Sequence, residues 1–308
     1  MRDLEREKII QYFNYNITLE HSAIIQYLFH AYTIGDAETE NELEEIAREE
    51  MKHLRMFAHK VVELGGKPAI FDRAAVFLNA PTYEDLIQLD IDAELMAIQE
   101  YKRQRDEITE ESAKKILTRA IEDETAHSVI FKKMKENVKN IVKNGSSEID
   151  ENMAKVVQLL NTVLQKQYQK ILEHLFQSFM LRHKNPILSD EVEQKAIDQM
   201  KHFGWIAEEI SEKGFSIDVN LPKAKPMENP QDIIKAVKEE EITAKKEFQE
   251  ISSKVESPDL SWILQRIADR EIHYTDLERF LNSNDVDAKM ASEIVKAFTV
   301  GSLFKRGG

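Results

Sequence analysis

The sequence predicts an all-α protein made of two tandem four-helix bundles. Long segments carry apolar residues at helical spacing, glycine and proline concentrate at the joints, and the whole pattern recurs after about 147 residues. No alternating strand pattern exceeds about five residues. The repeat predicts a first bundle over 1–145, a second over 150–284, and a linker with a tail over 285–308.

Glycine and proline mark the predicted helix ends in the first half. Gly35 follows the first apolar pattern, Gly65 and Gly66 follow the second, and Pro81 with Thr82 opens the third. The four predicted helices cover residues 4–34, 37–64, 82–108 and 109–144.

The second half repeats this order of helices together with several motifs. Glu50-Met-Lys-His53 returns as Gln199-Met-Lys-His202. A helix is also expected after Asn229-Pro230, because asparagine caps helices and proline suits their first position. The other helices of this half are predicted over residues 151–181, 190–214 and 258–282.

Composition excludes several classes of protein. Without cysteine, the 308-residue chain cannot form disulfides, thiolate metal sites or a cysteine nucleophile. A formal net charge of −14 argues against a nucleic-acid partner. No apolar run reaches the ~18 residues that span a bilayer, and the amino terminus lacks a signal core. We therefore expect a soluble, cytoplasmic protein with no membrane partner.

Glutamates and histidines of the first half have the spacing of a metal centre. The second and fourth helices each carry Glu-x-x-His, which places both side chains on one helix face. The first and third helices each carry a glutamate on an apolar stripe, which should point inward. Together these features form the di-iron or di-manganese signature of four-helix bundles. The candidate metal ligands and catalytic residues are Glu20, Glu50, His53, Glu94, Glu124 and His127.

Electrostatics favour two divalent cations at this point. Four carboxylates in a medium of low dielectric constant must take up protons or separate, unless cations compensate them. Two dications cancel four negative charges and leave neutral imidazoles as the remaining ligands. The alternative is that these are surface glutamates in a chain with 56 acidic residues.

Four further residues are candidates to support the ligands. Glu49 and Asp123 each precede a ligand glutamate and could accept the free N–H of a ligand histidine. Tyr27 and Tyr101 follow the inward glutamates by seven residues and could hydrogen-bond to carboxylates across the bundle. The alternative for both tyrosines is an ordinary place in the core.

The second half keeps the frame but changes the ligand set. A guanidinium among its replacements can supply the positive charge that metals would otherwise provide. We therefore expect a metal-free structural copy; the alternative is a shifted site built from Glu173, Asp269 or Glu271. The replacing residues are Gln167, Gln199 and Arg270, and the retained ones are Glu241, His202 and His273.

The motif segments resemble the ferritin-like superfamily, and bacterioferritin most of all. The resemblance covers residues 1–140 with all six ligand positions filled, and 150–283 more weakly. It implies two tandem ferritin-like bundles and a ferroxidase with two iron ions, manganese being possible, in which Glu50 and Glu124 bridge the metals. The matching segments are Leu19–Tyr27, Glu49–His53, Glu63–Pro68, Ala93–Tyr101 and Glu122–His127.

The same resemblance raises two further points. Met51 falls where bacterioferritin supplies a haem-binding methionine, and Met200 is its copy, so haem binding is one hypothesis and simple packing is the favoured alternative. The fused, unequal halves cannot make identical contacts, which argues against a 24-subunit cage but allows a homo-oligomer.

The carboxy terminus resembles the targeting peptides of encapsulin cargo proteins. An apolar segment interrupted by glycine can lie extended in a groove of a shell protein. The alternative is a frayed end or a segment packed on its own bundle. The residues expected to dock are Thr299, Val300, Gly301, Ser302 and Leu303.

The resemblances imply a ferroxidase that oxidises Fe(II) with O₂ or H₂O₂, for iron storage inside an encapsulin nanocompartment in the cytoplasm. One competing hypothesis is a rubrerythrin-like peroxidase or a manganese catalase, although the rubredoxin cysteines of full rubrerythrins are absent. A non-catalytic scaffold and a haem-bearing electron carrier are two more hypotheses for the same chain.

Overall fold

The computed structural model describes residues 3–141, 151–270 and 277–280 of the chain. Within these ranges it is all-α, with eight α-helices packed in pairs in a manner consistent with two four-helix bundles, which confirms the predicted fold class. None of the described helices is long and apolar enough to cross a membrane. The helices are α1 Asp3–Ile34, α2 Ala37–Glu63, α3 Tyr83–Glu107, α4 Glu111–Asn137, α5 Glu151–Leu181, α6 Pro186–Glu212, α7 Pro230–Ser252 and α8 Pro258–Arg270.

Local capping explains where the first helices begin and end. The side chains of Asp36, Thr82 and Glu110 each accept a hydrogen bond from the backbone N–H three residues further on, at the starts of α2, α3 and α4. Gly35 and Gly65 have φ angles of 62° and 80°, which an L side chain rarely adopts, and they let the chain leave α1 and α2.

Two helix boundaries differ from the sequence prediction. Helix α6 begins at Pro186 rather than at residue 190, because Asn185 caps it by accepting a hydrogen bond from the backbone N–H of Leu188. Helix α4 ends at Asn137 and continues only as the 3₁₀ turn Val138–Asn140. Val138 is buried, so apolar spacing extends past the true end of the helix and does not reveal it.

The described part of the chain separates into two compact units. Of the described residues, the first unit contains 3–141, 151–169 and 202–224, and the second contains 170–201, 225–270 and 277–280. Helices α5 and α6 contribute residues to both units. The domain boundaries drawn from the repeat stay a prediction.

Aromatic rings fill the core of the first unit around its polar centre. Helix α1 packs along α2, α3 packs along α4, and contacts of α1 with α3 and of α2 with α4 complete the arrangement. The Tyr27 ring lies 5.0 Å from that of Phe131, and the Tyr101 ring lies 5.5 Å from that of Phe57. These contacts fix both tyrosines beside the candidate ligands.

Candidate metal centre

The structure brings the six candidate ligands together inside the first unit. Glu50 and His53 extend the buried stripe of α2 that includes Ala47, Leu54 and Phe57, so both turn away from solvent. The corresponding pair on α4 and the single glutamates of α1 and α3 lie on similar stripes. Each is at most 2% exposed: Glu20, Glu50, His53, Glu94, Glu124 and His127.

These side chains form two overlapping sets of possible metal ligands. Each residue of a set offers one nitrogen or oxygen atom, and the offered atoms lie within 4.8 Å of one another. One set is Glu20, Glu50, His53 and Glu124, and the other is Glu50, Glu94, Glu124 and His127. The sets share the two glutamates of the Glu-x-x-His pairs, and each adds one glutamate and one histidine of its own.

The two imidazoles approach the shared carboxylates closely. The Nδ1 atom of His53 lies 2.9 Å from Glu50 and 3.1 Å from Glu124. The Nδ1 atom of His127 lies 2.9 Å from Glu50 and 3.0 Å from Glu124. Each histidine therefore faces both shared carboxylates through the same ring nitrogen.

The other ring nitrogens face outward, to carboxylates on the opposite helix. His53 Nε2 of α2 lies 3.1 Å from Asp123 Oδ2 of α4, and His127 Nε2 of α4 lies 2.7 Å from Glu49 Oε2 of α2. The acceptor side chains are partly exposed, at 36% for Asp123 and 47% for Glu49. Donation of Nε2–H to these carboxylates leaves Nδ1 free to act as a metal ligand.

Both tyrosines hold the glutamates that belong to only one set. Tyr27 donates to Glu94 Oε1 at 2.7 Å, and Tyr101 donates to Glu20 Oε1 at 2.5 Å. Burial raises the pKa of both tyrosines well above its usual value, and the nearby carboxylates raise it further. The hydroxyls therefore keep their protons and act as donors at neutral pH.

Protonation of the two glutamates that belong to only one set, Glu20 and Glu94, is favoured when no cation compensates the cluster. Burial, with repulsion from Glu124 and Glu50, raises the pKa of Glu20 and of Glu94 well above its usual value. Water stabilises the charged form of a carboxyl group, whereas the low dielectric constant of the core and the neighbouring negative charges destabilise it here. Without a compensating cation, burial and like charge therefore favour the protonated form of both carboxyl groups.

The histidines carry the positive charge under the same condition. Burial disfavours their charged forms, but contacts with Glu124 and Glu50 outweigh burial, raising the pKa of His53 and bringing that of His127 to about 10. Burial likewise works against ionisation of Glu50, yet contacts with both imidazoles lower its pKa below the usual range. Protons thus supply the charge that two dications would supply.

Two dications fit this set of donors. The Oε1 atoms of Glu50 and Glu124 are buried and accept no hydrogen bond, although each lies close to an imidazole. A neutral imidazole would direct the lone pair of Nδ1 at these oxygens, which is favourable only with a cation between them. The buried cluster could therefore bind a di-metal centre.

Comparison with known proteins agrees with this geometry. A ferritin-like family profile matches residues 13–239, well over half of the chain. The chain belongs to the ferritin-like family. It is also similar to a bacterioferritin of Desulfovibrio desulfuricans, with 28% identity over 150 residues that cover 46% of this chain and 81% of the relative. No solved structure matches the chain.

The second unit of this ferritin-like protein contains a buried ion pair that includes Glu241, the counterpart of the candidate ligand Glu94. Lys195 and Glu241 are each 2% exposed, and Lys195 Nζ lies 3.5 Å from Glu241 Oε1. The sequence pattern predicted the compensating charge at Arg270, whose side chain lies outside the described residues, and Lys195 was not predicted. Aligning Leu43–His53 with Val192–His202 places Lys195 at the position of buried Ile46, a signal that was present in the sequence.

Nearby, Gln199 takes the place of the candidate ligand Glu50 and joins a hydrogen-bond network. Its Oε1 faces His174 Nδ1 at 2.8 Å, and its Nε2 donates to Glu240 Oε1 at 2.5 Å. Glu173, a candidate for a shifted site, instead contacts Lys170 and accepts from the backbone N–H of Lys225. No further set of clustered metal ligands occurs within the described ranges.

The remaining candidates are placed as follows. Gln167 and His202 are buried in the first unit, and Asp269 is exposed. Met51 and Met200 are both half-buried, and haem binding stays a prediction. The other residues of interest lie outside the described ranges: Glu271, His273, Thr299, Val300, Gly301, Ser302 and Leu303.

Proposed function

We propose that this protein is a ferroxidase that oxidises Fe(II) to Fe(III) at a di-iron carboxylate centre in its first unit. The observation that carries the proposal is the pair of buried ligand sets that share Glu50 and Glu124. Membership of the ferritin-like family and the similarity to a bacterioferritin support it. Manganese can use the same oxygen and nitrogen donors.

The side chains divide the work of such a centre. Bound iron would supply electrons to O₂ or H₂O₂. One ligand set, with Glu20 and His53, would hold one iron ion, and the other set, with Glu94 and His127, would hold the second. Both sets include the shared glutamates. Glu20 and Glu94 give up their protons on binding, because a cation stabilises their charged forms. Tyr27 and Tyr101 keep these carboxylates oriented, and the burial of all six candidate ligands limits access of water.

The reaction type is tested by adding Fe(II) to the metal-free protein under air and, separately, with H₂O₂ in the absence of oxygen. We expect about two tightly bound metals per chain and saturable Fe(II) oxidation with at least one oxidant. Consumption of H₂O₂ without net iron oxidation would instead favour the peroxidase or catalase hypothesis. Fewer than two metals with no rate above buffer would favour a scaffold.

We also propose that the carboxy-terminal tail directs the enzyme into an encapsulin shell in the cytoplasm, where the ferric product would be stored. The sequence Thr299-Val-Gly-Ser-Leu303 supports this proposal by its resemblance to cargo-targeting peptides. A chain with unequal halves that does not build its own cage would then use one built by another protein.

Deletion of residues 298–308 should abolish co-purification with a co-expressed encapsulin shell and leave Fe(II) oxidation unchanged. The matched control replaces Lys305 and Arg306 by alanine, which keeps the apolar residues expected to fill pockets of the shell. Normal encapsulation of the deletion variant would overturn the targeting proposal.

A further inference from the structure

A second buried polar cluster lies between α1 and α3 beside the metal ligands. His30 and Asp90 are each 0% exposed, and His30 Nδ1 lies 2.9 Å from both carboxylate oxygens of Asp90. Gln26 Nε2 donates to the same carboxylate at 2.9 Å. The proposed metal chemistry uses none of these three side chains.

The cluster also binds the connection between α2 and α3. His30 Nε2 lies 2.9 Å from the carbonyl oxygen of Phe77, and Gln26 Oε1 accepts from the backbone N–H of Phe77 at 2.9 Å. Both ring nitrogens of His30 thus face oxygen atoms, so the ring is held on one side by Asp90 and on the other by the Phe77 carbonyl.

The position of Asp90 connects this pair to the metal centre. Asp90 lies one helical turn before Glu94 on the same face of α3. Tyr27, the neighbour of Gln26 on α1, donates to Glu94. Residues 26–30 of α1 therefore hold residues 90–94 of α3 through three side chains, and Glu94 belongs to only one of the two ligand sets.

The other ligand set has a different support at the opposite end of the same helices. Asn16 and Gln104 are 0% exposed and exchange two amide hydrogen bonds of 2.7 Å. They flank the Tyr101–Glu20 hydrogen bond, since each lies within about one turn of a member of that pair. A brace of two amide side chains thus supports Glu20, and a brace of His30 and Asp90 supports Glu94.

The second copy of the repeat replaces both braces. At the repeat offset, His30 and Asp90 correspond to Gln177 and Val237, while Asn16 and Gln104 correspond to Val163 and Ile251. Val237 and Val163 are buried, as are Gln177 and Ile251. The helical frame therefore forms without these polar pairs, and the first copy alone combines them with a full ligand set.

We propose that the hydrogen-bonded pair of His30 and Asp90 positions Glu94 and thereby sets the metal affinity of the ligand set that contains Glu94, leaving the set that contains Glu20 largely unaffected. This inference rests on the proposed di-metal site. It assigns His30 and Asp90 as positioning residues, because they act through α3 and Tyr27 and do not belong to either ligand set.

The test is a Co(II) titration of the metal-free, full-length protein, followed by visible absorption and equilibrium dialysis. The variant His30→Gln/Asp90→Val introduces the residues of the second copy. The variants Glu94→Ala and Glu20→Ala each remove one bound Co(II) ion and so identify the two sites. We expect the double variant to weaken the Co(II) affinity of the Glu94 site at least about tenfold and to change that of the Glu20 site less than about threefold. The matched control, Asn16→Val/Gln104→Ile, should leave the affinity of the Glu94 site unchanged.

Equal weakening of both sites, or no change in either, would overturn the proposal in favour of a purely structural role. If the double variant does not fold, Asp90→Asn keeps the shape of the side chain and should weaken the Glu94 site to a smaller extent. A wild-type protein that binds two Co(II) ions but does not oxidise Fe(II) would contradict the ferroxidase proposal, while the variants would still decide this one.

Discussion

Replacing Glu124 by alanine should remove both metals from the protein at once and bring Fe(II) oxidation down to its rate in buffer. Glu124 belongs to both ligand sets, so neither set remains complete without it. Changing residues that merely support metal ligands costs about 10–100-fold in affinity, and loss of a shared ligand should exceed that range. Metal analysis after gel filtration and aerobic oxidation assays measure the two effects.

Three glutamates provide controls for this experiment. Glu20 and Glu94 each belong to one set, so alanine at either position should leave about one metal per chain bound. Glu122 is exposed on the same helix as Glu124, and its replacement should change neither metal content nor rate. Two metals retained in Glu124→Ala would contradict the assignment of a shared ligand.

Replacing Lys195 by methionine should produce a large loss of stability that metals do not restore. The change leaves Glu241 buried without the ammonium that lies 3.5 Å away, and breaking a buried ion pair from one side typically costs about 3–5 kcal/mol. Urea unfolding can be followed in a Trp205→Phe background, because Trp262 then reports on the second unit alone.

The Lys195 prediction has a surface control and a compensating variant. Lys235 is 76% exposed and lies 4.0 Å from Glu239, so Lys235→Met should cost no more than about 0.5 kcal/mol. Lys195→Met/Glu241→Leu should recover most of the lost stability, because it removes both buried charges. A similar effect of the two single lysine variants would rule out Lys195 as the compensating charge.

The cluster of candidate ligands was predictable from the sequence, because the pattern that indicates it is local. Glu-x-x-His places Glu50 and His53 on one helix face, and apolar neighbours turn Glu20 and Glu94 inward, whatever the exact packing. Likewise, the helical class follows from periodicity over more than twenty residues. The start of α6 was also readable, because Asn185-Pro186 has the same pattern as the capped start of α7.

The remaining features depend on contacts between helices. Glu49 and Asp123 were expected to support histidines, but their crossed pairing with His127 and His53 depends on how α2 packs against α4. Lys195 was missed because only the ligand positions of the repeat were compared. The Asp90 side chain was not recognised, since its partners lie 60 and 64 residues away on α1.

Because Lys195 lies beside Glu241, the two copies of the repeat differ in whether they need a cation from outside the chain. Under the proposed function, the first copy needs iron from the cell to neutralise its buried carboxylates. The second copy instead contains a lysine that is part of the polypeptide. Growth without iron should then leave the second copy unchanged, and only the first copy should lack its compensating cations. Under the proposed function, the repeat thus combines a copy that depends on bound metal and a copy that does not in a single polypeptide.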